Sequence, residues 1–234
     1  MSGIKKRPHI RPPYPHVYVT IGGSEGAYAG PNGGKLCDRL SSDIKAINTL
    51  FSTQCSKEFG VVPGNACWFF GSTFWFSDKG RHLKVNAEEI DKKDPTTNLD
   101  INAIYELIQE SNKNYDPDVN TNNNPPVSII IIYVPGNYIA NDSFTTGYAY
   151  DTKGIPYLIF LSDKATSDVL AHEVGHVLNY SNKNGRKNDP EPAGGDPDHN
   201  KNKGNLMYKE AGNTITPQQC TQFSESKIIL RPGS

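Results

Sequence analysis

The densest chemistry in the chain lies in Leu170-Ala-His-Glu-Val-Gly-His-Val-Leu-Asn-Tyr-Ser-Asn182. His172 and His176 are four residues apart, so on a helix both imidazoles share one face within reach of a single ion. Glu173 falls on the same side, where it can take a proton from a zinc-bound water. Zinc brings the pKa of such a water to about 7, so the pattern suits hydrolysis at neutral pH. The alternative is an ordinary helix with two histidines satisfied by solvent or core, and the surrounding elements argue against it.

Leu170, Val174, Val177 and Leu178 make a buried stripe that would aim the histidines at a cleft. Thr166 or Ser167 is the expected N-cap. Two strands precede the helix, Phe144 to Tyr150 and Ile155 to Leu161, joined by Asp151-Thr-Lys-Gly154 and close enough to be antiparallel neighbours. Before them, Val127 to Val134 is almost all β-branched and predicts a central strand buried on both faces.

Further upstream, His16 to Ile21 alternates as a first strand, and Gly22 to Gly34 reads as a plain loop without phosphate-binding spacing. Asp38 to Phe59 has apolar residues at helical spacing. Ala66 to Phe76 is aromatic and broken by Gly71-Ser-Thr, which suggests a hairpin or bulged strand. A second helix is expected over Asn98 to Asn112 with Leu99, Ile104, Leu107 and Ile108 inward, followed by an Asn-rich loop to Pro126.

The motif together with Gly204-Asn-Leu-Met-Tyr208 resembles the metzincin-type zinc metallopeptidases, over roughly residues 127–208. The resemblance implies a single α/β (α+β) zincin-like domain, with a mixed twisted sheet, an active-site helix and a Met-turn. It implies Zn2+ as cofactor, Glu173 as catalytic base and then acid, and Met207 as a floor under the metal, with Tyr208 beside it. It also implies that an extended substrate pairs with a strand along the cleft, here Gly147, Tyr148 and Ala149.

Two positions depart from the family pattern. Asn179 stands where glycine ends the helix, and asparagine is the next best residue for a left-handed turn. Asn182 stands where the third ligand belongs, and a neutral amide holds zinc poorly. His199 is the expected replacement, as the one imidazole left downstream, with Ser181 to Asp198 read as an insertion. Asp189, Glu191, Asp196 and Asp198 are the carboxylate alternatives. A gluzincin arrangement would use Glu210 or Glu225 instead. A deformylase arrangement needs an upstream cysteine ligand in a Gly-Cys-Leu stretch, which is missing.

The 234 residues suffice for one large domain, expected as an N-terminal arm (1–15) and a domain (16–234) split into subdomains at 180/181. With 24 Lys+Arg against 25 Asp+Glu, charge gives no reason to expect nucleic acid. No run approaches the ~20 apolar residues of a membrane span. No signal peptide is visible, yet a secreted or exported protein is favoured. Cys37, Cys55, Cys67 and Cys220 permit three pairings, although Cys37 and Cys55 flank a helix that keeps them apart. The expectation is a zinc endopeptidase acting on protein or peptide. An inactive zincin-scaffold binding module and a delivered toxin or effector protease are the alternatives.

Overall fold

The computed structural model describes residues 15–24, 26–27, 36–56, 69–73, 83–114 and 126–231. The expected arm, most of the glycine-rich loop, most of the Asn-rich loop, Cys67 and the side chain of Cys37 lie outside the described residues. The chain forms β1 (Val17–Gly23), α1 (Leu36–Gln54), β2 (Phe69–Thr73), α2 (Leu99–Lys113), β3 (Ile129–Val134), β4 (Gly147–Tyr150) and β5 (Tyr157–Ser162). There follow α3 (Ser167–Tyr180), β6 (Pro192–Ala193), β7 (Asp196–Asn200) and α4 (Pro217–Ser224).

The main sheet has the order β2-β1-β3-β5-β4. The first four strands in that order run parallel, and β4 is antiparallel to β5 at the edge. β3 sits at the centre because Ile129-Ile-Ile-Ile-Tyr-Val134 can bury both of its faces. Alternate residues feed two cores. Ile129, Ile131 and Tyr133 pack with α1, α3 and α4, whereas Ile130, Ile132 and Val134 pack with α2. Residues 181–231 contribute Leu206, Met207, Ile215, Cys220, Phe223, Ile228 and Ile229 to the first core, so the molecule is one domain.

Two expectations need correction here. Residues 69–73 form a regular strand paired with β1, with Gly71 opposite Val19, and no hairpin or bulge; the rest of 66–76 lies outside the described residues. On α2 the buried stripe is Ile101, Ile104 and Ile108, while Leu99 and Leu107 are 84% and 55% exposed. The helix itself starts where Asn98 Oδ1 accepts from the amides of Asp100 and Ile101.

Arg39 of α1 fixes the approach to α3. Its guanidinium donates to the carbonyls of Ser162 (3.1 Å) and Ala165 (2.7 Å), which flank the turn between β5 and α3. Asp43 pairs with the same arginine at 3.3 Å and accepts from the Tyr133 hydroxyl at 2.7 Å, so the buried charge is compensated. At the opposite end of the core, a disulfide joins Cys55, just past α1, to Cys220 in α4.

Candidate metal centre

Helix α3 begins at Thr166, one of the two expected caps, and is buried from Leu170 to Asn179. His172, Glu173 and His176 are about as enclosed as its apolar stripe, at 5–6% exposed. The ring nitrogens of His172 and His176 approach to 3.0 Å through their Nε2 atoms. His172 Nδ1 lies 2.6 Å from the Leu206 carbonyl, which assigns its proton to Nδ1 and leaves the Nε2 lone pair facing the cluster.

His199 comes to this pair from β7, the second strand of a small hairpin. Its ring stacks on His172 at 5.3 Å and meets His176 edge-on at 5.0 Å. One nitrogen from each of the three residues lies within 4.8 Å of the others. Among the described residues this is the one such group of three. His199 Nδ1 is 2.9 Å from Asp196 Oδ2, a carboxylate placed to fix the orientation of the ring.

Three imidazoles with converging lone pairs fit a zinc-type ion, which takes nitrogen ligands at about 2.0–2.1 Å. With no ion between them, two Nε2 atoms at 3.0 Å can face each other if neutral His176 carries its proton on Nε2 and donates to His172. Burial keeps both rings neutral and able to ligate: it lowers His172 to about 4, an effect the Leu206 carbonyl partly offsets, and pushes His176 well below its ordinary value. Burial also raises Glu173 to about 8, against a bond from the Ala149 amide that favours its charged form.

The edge strand presses on this glutamate. A β-carbon on Gly147 would fall 2.4 Å from Val169 Cγ1 and 2.9 Å from Glu173 Oε1. Ser162 donates to the Thr146 carbonyl across the β4–β5 ladder, so Tyr148 also bonds inward, while Gly147 turns its amide and carbonyl, and Ala149 its carbonyl, to an edge that no other described strand covers; the Ala149 amide is the one that meets Glu173. Tyr148 itself turns to the other face, where its hydroxyl donates to the Lys92 carbonyl at 2.5 Å. Lys92 in turn pairs with Asp142 at 2.8 Å.

Beneath the helix, Met207 is fully buried against Gly175. Its turn is held by Asn205, whose side chain accepts from the Met207 amide and whose carbonyl accepts from Tyr208. Tyr208 stays half-buried and makes no ring contact with the histidines among the described residues.

Asn179 does not turn the chain. The helix continues to Tyr180, with Ser181 as C-cap at φ −91°, and a left-handed residue follows only at Gly185 (φ 74°). Asn179 is instead a core residue whose Oδ1 accepts from Gln222 at 2.7 Å. Asn182 lies outside the cluster and bonds the Gln222 carbonyl and the Asn184 amide. Glu210 is exposed in a loop, and Glu225 caps α4 and pairs with Asn184, so neither reaches the histidines.

Asp189, one of the carboxylate alternatives for the third ligand, is 3% exposed and is bound to other partners. Its carboxylate accepts from Asn200, beside His199, at 2.7 Å, and from Gln219 at 2.5 Å. Gln219 also exchanges amide bonds with Asn205 at 2.9 Å in both directions. Asn200 N donates to the Met207 carbonyl at 2.6 Å. The hairpin carrying His199 is thus bolted to the Met207 turn and to α4. A sequence signal for part of this existed in Thr216-Pro-Gln-Gln219, a capping box that the structure forms.

No protein-family profile and no curated protein matches this sequence. Among solved structures the chain is similar to metalloproteinase-II from Bacteroides fragilis, at 15% identity and a TM-score of 0.49. The match covers 95% of this chain and 56% of that one, so the chain spans little more than half of that protein.

Proposed function

We propose that this chain is a zinc-dependent endopeptidase of the metzincin type, with His172, His176 and His199 as metal ligands and Glu173 as catalytic base. The observation that carries the reading is the convergence of three imidazoles next to a buried carboxylate that touches an open strand edge. When bound, zinc would polarise the scissile carbonyl and acidify the attacking water. Glu173 then takes a proton from that water and delivers it to the amine nitrogen as the C–N bond breaks. Gly147 offers its amide and carbonyl, and Ala149 its carbonyl, to an extended peptide, which would lie as an added strand. Met207 supports the ligand helix from below, and Asp196 holds the His199 ring in its ligating orientation.

Within this reading, residues 16–180 supply the sheet and the helix pair of ligands, and residues 181–234 supply the third ligand and the floor. The Cys55–Cys220 disulfide supports an exported protein, because such bonds persist in oxidising compartments. The deciding experiment is Glu173→Ala with zinc analysis. Hydrolysis of an unstructured protein substrate should fall by about 10²–10⁴, the weight of general acid–base catalysis, while zinc stays stoichiometric. Wild-type rates in that variant would sink the mechanism.

A further inference from the structure

Helix α3 does not stop where the family pattern would end it, and the extra turn brings Tyr180 to the site. Glu173, His176 and Tyr180 follow one another at spacings of three and four, so they lie on one face of the helix. The Tyr180 ring stacks on His176 at 6.0 Å with 16° between planes. From Leu170 to Tyr180 every residue is buried except Tyr180, which stays partly open. Its hydroxyl makes no hydrogen bond to any described residue, whereas that of Tyr148 is committed to Lys92.

The helix places the ring beside the histidine cluster, two turns on from Glu173, at the one position of this buried face that is partly open to solvent. An ordinary phenol is protonated at neutral pH, so the hydroxyl can donate to an anionic oxygen.

We infer that Tyr180 donates a hydrogen bond to the oxyanion formed when water adds to the scissile carbonyl. The assignment rests on the peptidase reading above and deepens it. In the addition step, the new C–O bond forms as the carbonyl π pair moves onto oxygen, and the developing charge lies where a neutral O–H can meet it. The residue reaches this place because Asn179 stays helical. A left-handed residue there would have carried Tyr180 away from His176.

The test is Tyr180→Phe, which keeps the ring that stacks on His176. Zinc content is measured by metal analysis, and binding of a phosphinic peptide, a stable tetrahedral oxyanion, by calorimetry on zinc-loaded protein. The expected result is unchanged zinc with phosphinate affinity lowered about tenfold to a hundredfold, the worth of one hydrogen bond to a charged oxygen. In hydrolysis, kcat should fall by a similar factor with KM held. Phosphinate affinity within about twofold of wild type overturns the assignment and leaves Tyr180 as packing for His176. Loss of zinc in the variant also overturns it, in favour of a role in supporting the ligand. Wild-type protein that binds no zinc overturns the peptidase reading itself, and this assignment with it.

Discussion

Gly175 and Met207 are in such close contact that a methyl group on the glycine would lie 2.3 Å from the methionine sulfur. Gly175 lies between His172 and His176, so the histidine helix settles onto the turn at a position without a side chain. Gly175→Ala should destabilise the fold by about 1–3 kcal/mol, the range for overpacking. Chemical denaturation would measure it. Met207→Ala in the same chain should recover part of the loss, because the two sites are in direct contact. Additive costs would mean that the helix and the turn do not bear on each other.

Asp189 predicts an effect at a distance from the histidines it serves. Asp189→Ala leaves the amides of Asn200 and Gln219 without their buried acceptor. Each orphaned group costs about 1–3 kcal/mol. Beyond stability, His199 loses the anchor of its neighbour, and zinc affinity should fall about 10–100-fold, as for other outer-shell changes. Competition with a chelator of known affinity would read this. A variant that is less stable yet binds zinc as tightly as wild type would confine Asp189 to structure.

Stability of the metal-free protein should peak near pH 6.5. The folded pKa of His172, about 4, lies below its ordinary 6.5, so on acidification the unfolded chain takes up the proton first. That contribution is intact above 6.5 and is lost as pH falls towards 4, and His176 acts in the same direction. Glu173 behaves oppositely. Its folded value of about 8 exceeds the ordinary 4.5, so its contribution is complete below 4.5 and is lost as pH rises through 8. Between 4.5 and 6.5 the two histidines outweigh the one carboxyl. Slopes are at most about 1.4 kcal/mol per pH unit for each group. Urea unfolding of chelator-treated protein across this range gives the profile, and Glu173→Gln should remove its alkaline limb.

Reduction of Cys55–Cys220 removes a crosslink that spans 165 residues. Replacing both cysteines with serine should cost about 5 kcal/mol by chain entropy. The loss should appear as a lower thermal midpoint with the zinc stoichiometry retained in the folded protein. An unchanged midpoint would mean that the α1–α4 contact, with Phe51 and Phe223 rings 5.8 Å apart, holds without the bond.

Periodic features were legible in the sequence. The i, i+4 histidines and the stripe of α3 repeat at the helical period, and the unbroken apolar run of β3 marks a strand buried on both faces; each lies where its pattern puts it. His199 was found by elimination, and the structure brings it to the other two. The features that stayed hidden depend on tertiary context. Asn179 carries a turn-forming side chain, but Gln222, from a helix 43 residues on, gives it a buried partner and the helix continues. Asp189 looks like one acid among several until Asn200 and Gln219 close around it. Leu99 and Leu107 fit a helical period about as well as Ile101, and only the position of β3 decides which flank is covered.

Cys55 and Cys220 also close the chain into a covalent ring, and every residue of the candidate site lies within it: Gly147, His172, Glu173, His176, His199 and Met207. One backbone cut between those cysteines would open the ring without freeing either fragment. For a protein proposed to cleave polypeptides, that topology turns self-nicking from a loss of parts into a change of connectivity. The two pieces would stay tethered through α1 and α4, at the effective concentration that the original fold requires.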